Sequence, residues 1–337
     1  MKQVSSRRRE APVGISLTRR EFLAAGASLA AAGLVGCAAF PNRRAFTRNG
    51  RSLAEWLGYP ASTPLLIIHA DDVGIARSAN AATIRSFERR TITSCSVMVP
   101  CPDAPAFADW ARVHPEADVG VHFTLTSQPS ERWGPVAGAS RVPTLVEADG
   151  MFPARLERDH HVDPRELEIE LRAQVSRARA FGLDLTHLDG HQHIVQRRSA
   201  EVFDVLLRIA RDERLPFRFP RDWLPQSPWG AQAFGSATVP LERMISISPK
   251  SATPDRWTEW YASQVRAIPP GLSELFVHLG IPDDELRAVV PDSANWGSAW
   301  RGRDLAAIES VALANAERDV GARRIGWREV RDYLRAM

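Results

Sequence analysis

Two adjacent carboxylates, Asp71 and Asp72, follow directly on the apolar run Leu65-Leu66-Ile67-Ile68-His69-Ala70. Like charges that close raise each other's pKa unless a cation stands between them or takes one of them as a ligand. Other stretches supply suitable groups. His122 lies in Gly120-Val121-His122-Phe123, and His278 ends Glu274-Leu275-Phe276-Val277-His278. The run Thr186-His187-Leu188-Asp189-Gly190-His191-Gln192-His193 places His187, Asp189, His191 and His193 at a spacing of two. On an extended segment that spacing turns all four side chains to one face. Burying such a row without partners is costly. A divalent cation is a partner that takes neutral imidazole and carboxylate together. One carboxylate of the doublet plus two imidazoles makes a three-ligand site with open positions, the pattern of a catalytic metal. The other carboxylate alternates in direction on an extended chain, and is then free to take a proton from bound water.

Such residues need a scaffold that brings distant segments together. Strand-like runs occur at 65–70, 91–99, 119–125, 183–188, 217–219, 243–247, 272–279 and 323–325. Between them, helical patterns cover 76–89, 104–113, 164–181, 199–213, 257–267, 304–319 and 327–334. Asp163-Pro164 opens the helix that Gly182 stops, with Pro in its first turn. The alternation predicts an α/β fold with a parallel sheet covered by helices. About seven or eight such units fit a distorted (β/α) barrel, in which chemistry sits at the C-terminal ends of the strands. Residues 127–163 lack a period and read as a long insertion after the third strand.

With 44% hydrophobic and 25% charged residues, the 337-residue chain has an ordinary globular composition. Its formal charge of +3 is concentrated at the start. Six of the 43 basic and two of the 40 acidic residues lie in the first 36, which leaves 37 against 38 in the remainder. No polyanionic partner is called for, and nucleic acid is excluded as the expected ligand. Arg19-Arg20-Glu21-Phe22-Leu23, an uncharged run from Ala24 to Val35 and then Gly36-Cys37 follow the order of an export signal. The arginine pair resembles a twin-arginine signal, and Leu34-Val35-Gly36-Cys37 a bacterial lipobox. The apolar run is short for a membrane span of about 20 residues. The expectation is therefore a signal over 1–37, a tether over 38–63 with one short helix near Leu53–Leu57, and a catalytic domain over 64–337. The mature protein would be exported and lipid-anchored through Cys37 to a bacterial membrane, facing the periplasm or the cell exterior. Cys95 and Cys101 are too few for a four-cysteine zinc site, and Cys95 reads as a small buried thiol.

HADDVG, GVHFTLT and THLDGHQH, in that order, resemble the YdjC-like carbohydrate deacetylases, which include chitooligosaccharide and hopanoid-biosynthesis deacetylases. TSCSVMVPCP resembles the family's second strand, and ELFVHLG its late Glu-x-x-x-His segment, so that the likeness covers about residues 64–280. The resemblance implies a distorted (β/α) barrel, one divalent metal ion (Mg2+ or Zn2+) and removal of an N-acetyl group from an amino sugar, in an oligosaccharide or a glycolipid. Carried onto this sequence, it implies Asp72, His122 and His191 as metal ligands. It implies Asp71 as base, by analogy with related polysaccharide deacetylases, and His278 as general acid. Leu279 stands where the family commonly has Pro. Gly190 and Gln192 replace common Ser and His, which leaves His193 a rival to His191. For the N-acetylated sugar, Trp133 in the insertion is a candidate stacking surface, as are Trp229, Trp296 and Trp300 in irregular segments. Arg218 and Arg221, in Phe217-Arg218-Phe219-Pro220-Arg221-Asp222, are candidates to contact substrate or to pair with Asp71 or Asp222. A homodimer is compatible with this reading. An amidase, esterase or phosphoesterase of another envelope substrate is the rival enzyme class, although phosphoryl chemistry would usually want more Lys/Arg or a second metal. A non-catalytic glycan-binding lipoprotein would have no reason to keep Asp71 beside a ligand set.

Overall fold

The computed structural model describes residues 47, 50–157, 160–193, 200–226 and 237–336, with backbone alone at 193, 200 and 224–226. Seven parallel strands form one sheet: β1 Pro64–Val73, β2 Ser94–Val97, β3 Val119–Phe123, β4 Leu185–Gly190, β5 Arg243–Ile245, β6 Gly271–His278 and β7 Arg323–Arg324. Their order is β4-β3-β2-β1-β6-β5, with β7 paired to the start of β1. The unbroken apolar run of β1 is explained by its place at the centre, where every residue after Pro64 is buried. Each Leu or Ile buried there contributes roughly 1.5–3 kcal/mol. β7 meets Leu65 and Leu66, while β2 meets β1 only from His69 onward, so the two share one edge of β1.

The ladder is open between β4 and β5. Two isolated parallel bridges, Leu188 with Phe217 and Pro220 with Leu241, lie across that gap. The fold is thus a distorted (β/α) barrel, as the alternating pattern predicts. Residues 217–219 bridge rather than form a strand, because Pro216 and Pro220 flank them and proline cannot donate to a ladder.

Two boundaries differ from expectation. The pattern over 304–319 is two helices, Ser298–Ile308 and Val311–Asp319, since Ser310 caps the second by accepting from the Leu313 amide at 3.2 Å. Residues 51–57, expected in a tether, are part of the domain. The helix Leu53–Trp56 buries Leu53 and Ala54 in a cluster with Trp327 and Tyr333, and the Tyr333 hydroxyl donates to the Arg51 carbonyl at 2.8 Å. The insertion after β3 is also packed. Glu170, on the helix Pro164–Ala180, accepts from the amides of Val136 and Ala137 at 3.0 and 2.8 Å. Gln174 on the same helix both donates to and accepts from the Thr124 backbone. Residues 1–46, with Cys37 and the paired arginines, lie outside the described residues, as does Trp229.

Candidate metal and catalytic site

The acidic doublet sits on a β-bulge. Ala70 pairs with Cys95 and Val73 with Val97, so Asp71 and Asp72 together face the single residue Ser96. Bulges re-aim side chains and are common beside functional sites. Here Asp72 adopts φ 63, a left-handed conformation that costs a non-glycine residue on the order of 1–3 kcal/mol. Gly74 follows at φ 97, where a Cβ would stand 3.0 Å from Ala104 Cα. The chain therefore turns sharply as β1 ends, and the two carboxylates serve different neighbours.

Asp72 joins the mouth of the barrel. Its Oδ1 lies 2.9 Å from His191 Nδ1 and 3.2 Å from His122 Nε2, and its Oδ2 accepts from Arg301 Nη2 at 2.6 Å. Donor atoms of Asp72, His122 and His191 all lie within 4.8 Å of one another. His122 Nδ1 donates to Asp189 Oδ1 at 2.7 Å, which orients the ring and turns Nε2 towards Asp72; burial lowers the His122 pKa, but Asp189, Asp71 and Asp72 outweigh it and raise it to about 10. His191 Nε2 is buried with no hydrogen-bond partner. Burial works to raise the Asp72 pKa, but His191 and Arg301 override it and hold the carboxyl well below its ordinary range. One ionised oxygen ligand and two imidazoles, one already oriented by a carboxylate behind it, form a donor set that fits a divalent cation. The side chain of His193 lies outside the described residues.

Asp71 faces inward. Arg218 grips it with two bonds, Nη1 to Oδ2 at 3.0 Å and Nη2 to Oδ1 at 2.7 Å. The same guanidinium donates to Glu274 Oε2 at 2.8 Å and lies 3.1 Å from Asp189 Oδ2. Of the two roles open to Arg218, the structure places it in pairing with Asp71: it is 1% exposed and does not line the cavity. Burial again acts to raise the Asp71 pKa, yet Arg218, with His122 and His69, holds it well below the usual carboxylate range. His69 Nε2 lies 3.2 Å from Asp71 and 3.4 Å from Asp189. Burial lowers the His69 pKa, and the surrounding carboxylates outweigh that and raise it. Deeper still, the His187 ring stacks on Trp327 at 5.2 Å and is kept neutral by burial. The single extended face expected for this run is not kept: β4 ends at Gly190, His191–His193 form a short 3-10 turn with Gln192 at φ 55, and among the described residues of the run Gly190, His191 and Gln192 border the opening.

A cavity of about 1220 Å3 opens over Asp71, Asp72, His122 and His191, with His278, Trp296 and Arg301 also in its wall. In the ladder Asp71 stands directly opposite His278. The His278 amide donates to Asp304 Oδ2 at 3.0 Å, while its ring Nδ1 is buried without a partner. Burial lowers the His278 pKa to about 4, and burial raises that of Asp304 to about 6. Two expected substrate contacts are corrected. Trp133 is 4% exposed, donates through Nε1 to the Thr126 carbonyl at 2.9 Å and fills space between insertion and barrel. Arg221 is held by Glu242 in a two-pronged pair at 2.8 and 2.7 Å, away from the cavity wall. Arg301 and Asp304 carried no signal in the sequence, since nothing about Ser298-Ala-Trp-Arg301-Gly-Arg-Asp304 separates them from surface charges of a helix.

The family described as YdjC-like protein matches residues 65–318. A protein of Brevibacillus brevis named "Carbohydrate deacetylase" is 34% identical over 161 residues, covering 47% of this chain and 60% of that protein. Its namesake from Geobacillus stearothermophilus is 37% identical over 152 residues, covering 45% and 58%. A "Chitooligosaccharide deacetylase" of Yersinia pestis is 29% identical over 167 residues, covering 48% and 62%. The chain thus spans about three fifths of the length of these relatives. In three dimensions it is similar to a crystallised Enterococcus faecalis protein provisionally named for cellobiose-phosphate cleavage. That match has a TM-score of 0.67 at 22% identity and covers 79% of this chain and 98% of that one, a likeness of fold. With the matched family spanning most of its length, this chain belongs to the YdjC-like family.

Proposed function

We propose that this chain is a metal-dependent carbohydrate deacetylase that hydrolyses the N-acetyl group of an amino sugar, releasing acetate and leaving the free amine. The observation that carries the reading is the convergence of Asp72, His122 and His191 at the floor of a large cavity, with Asp71 alongside. The names of the relatives support the substrate class. Asp72, His122 and His191 would hold one divalent ion, Mg2+ or Zn2+. Such an ion supplies a Lewis acid for the acetamide oxygen and lowers the pKa of water at the site.

Asp71 takes the proton of the attacking water. Arg218 holds its carboxylate ionised and fixed in direction, at the cost of basicity. The acidity of the water must therefore provide much of the driving force. As the water oxygen bonds to the carbonyl carbon and the C–N bond breaks, His278 gives a proton to the leaving nitrogen. With its pKa near 4, His278 is neutral in the resting protein, so the proton it gives to nitrogen is the one that Asp71, its neighbour across the ladder, has taken from the water, and Asp71 is ionised again at the end of the cycle. Asp189 keeps the His122 proton on Nδ1 throughout.

Acetate release from N-acetylglucosamine oligomers tests the reading. The expected result is release that stops on chelation and returns with Mg2+ or Zn2+; metal-independent release, or cleavage of an ester or another amide in its place, would overturn it. The proposal extends to the N-terminal residues: export by 1–37 and a lipid on Cys37, checked by partition of Cys37→Ala between membrane and soluble fractions. A homodimer is part of the same proposal, checked by sedimentation.

A further inference from the structure

Among the described residues the cavity wall contains one half-exposed aromatic side chain, and its backbone is held in an unusual shape. Trp296 is 39% exposed and borders the cavity near His278, the two rings 6.3 Å apart. Its φ is 59, a left-handed conformation with no glycine to relieve it. Strain of this kind persists only where neighbours enforce it, and it clusters at ligand sites. The neighbours here are identifiable. A Cβ on Gly297 would meet the Pro291 carbonyl at 2.1 Å, so the turn closes against its own backbone. The Ser298 amide donates to Val290 O at 2.9 Å, which ties the base of the turn. Trp300 backs the indole at 5.4 Å and meets Trp257 edge-on at 4.6 Å.

Arg301 links this turn to the catalytic floor. It is 1% exposed; Nε donates to the Trp296 carbonyl at 2.9 Å, and Nη2 to Asp72 Oδ2 at 2.6 Å. One rigid planar group therefore ties the backbone that carries the indole to the proposed metal-ligand carboxylate. Nothing in core packing requires the indole to stay half in solvent, since the face left open adds no buried area. A wall with an apolar plate and a few fixed polar groups is what a sugar ring, apolar on its C–H faces and polar at its rim, would use. The cavity exceeds the ~300–1,000 Å3 of common small-molecule sites, which leaves room for more than one ring.

We propose that Trp296 is the stacking platform for a pyranose ring of the N-acetylated substrate, and that Arg301 positions this platform relative to Asp72. The inference rests on the deacetylase reading and adds a specificity-determining residue to it. The test compares Trp296→Ala and Trp296→Phe with the wild-type protein, in acetate release from N-acetylglucosamine oligomers and in calorimetric binding of the same oligomers. Trp296→Ala should raise KM and the dissociation constant roughly tenfold, with kcat within about threefold, because the lost contact is shared by ground and transition states. Trp296→Phe keeps a ring and should recover most of the loss. Unchanged thermal unfolding in both variants confirms that the effect is local. Equal KM and equal binding in Trp296→Ala and wild type would overturn the platform while leaving the deacetylase reading in place. A wild-type protein that binds the oligomers without releasing acetate would remove the reaction but leave the platform measurable by calorimetry. Absence of any binding by the wild type would end both.

Discussion

The bulge at Asp71-Asp72, opposite Ser96, and the irregularity at Thr186-His187, opposite Gly120, each insert one extra residue into a parallel ladder. Both place acids and histidines inside the barrel, yet they end in different states. At the first, Asp72 is carried to the cavity, where one oxygen meets two imidazole nitrogens and His191 Nε2 has no partner. At the second, His187 is folded over Gly120, where an added Cβ would stand 2.3 Å from the ring, and is sealed against Trp327. Beneath the doublet, Arg218 serves Asp71, Asp189 and Glu274 together, a countercharge built into the chain. The mouth has Arg301 on one Asp72 oxygen and leaves the other to groups that suit a cation. Residue type alone does not separate a binding site from a charged core. The separation lies in access to the cavity: His187 Nε2 is buried without a hydrogen-bond partner just as His191 Nε2 is, and His69, His187 and Asp189 also converge, but of these groups only His191 with Asp72 borders the opening.

That contrast can be broken by substitution at either level. Asp72→Asn should abolish binding of the divalent ion and lower acetate release by about 10³-fold or more, the loss expected when several kcal/mol of charge stabilisation go. Far-ultraviolet circular dichroism should show the fold retained, and retained metal stoichiometry would contradict the ligand assignment. Arg218→Ala should act through stability. Removing one partner of a buried ionic group costs on the order of 3–5 kcal/mol, read from urea unfolding, and a loss under about 1 kcal/mol would mean that the inner layer is not held by its charges. Gly120→Ala attacks the same layer by shape alone. Overpacking the His187 ring should cost roughly 1–3 kcal/mol in the same measurement.

The smallest effect concerns pH. Asp304 has a folded pKa of about 6 against an ordinary 3.8, so the folded protein keeps a proton that the unfolded chain has already lost. Its contribution to stability is complete below about pH 4 and disappears as pH rises through about 6. Asp71, Asp72 and Asp189, whose pKa values are lowered, behave oppositely and lose their contribution as pH falls below about 4. Asp304→Asn should therefore remove a downward component from the slope of urea stability between pH 4 and 6, where His278, its pKa lowered to about 4, adds an upward one, without altering the loss below pH 4. An unchanged slope between pH 4 and 6 would remove Asp304 as its source.

Asp71, Asp72, His122, His191 and His278 stand out in the amino-acid sequence, because acids and imidazoles at the ends of apolar strands are expensive unless they have a task. Strand–helix alternation likewise points to a parallel barrel, since the hydrophobic period is local and survives in one dimension. Trp133 and Arg221 mislead for the reverse reason. An indole or guanidinium in an irregular segment looks the same whether it faces a ligand or a neighbouring loop. Residues 51–57 mislead too, because their short helix carries too few apolar residues to announce that Trp327 and Tyr333, far along the chain, complete its core.

By itself, then, the order of residues determined the strand ends, the ligand-type side chains on them and the period that folds them into one sheet. Tertiary structure alone decided that Arg218 turns inward to Asp71, that Arg301 spans Trp296 and Asp72, and that His187 is sealed while His191 borders the cavity. Those outcomes depend on which groups meet across more than a hundred residues of chain, and Coulomb and packing energies depend on distance in space, which one-dimensional spacing does not contain.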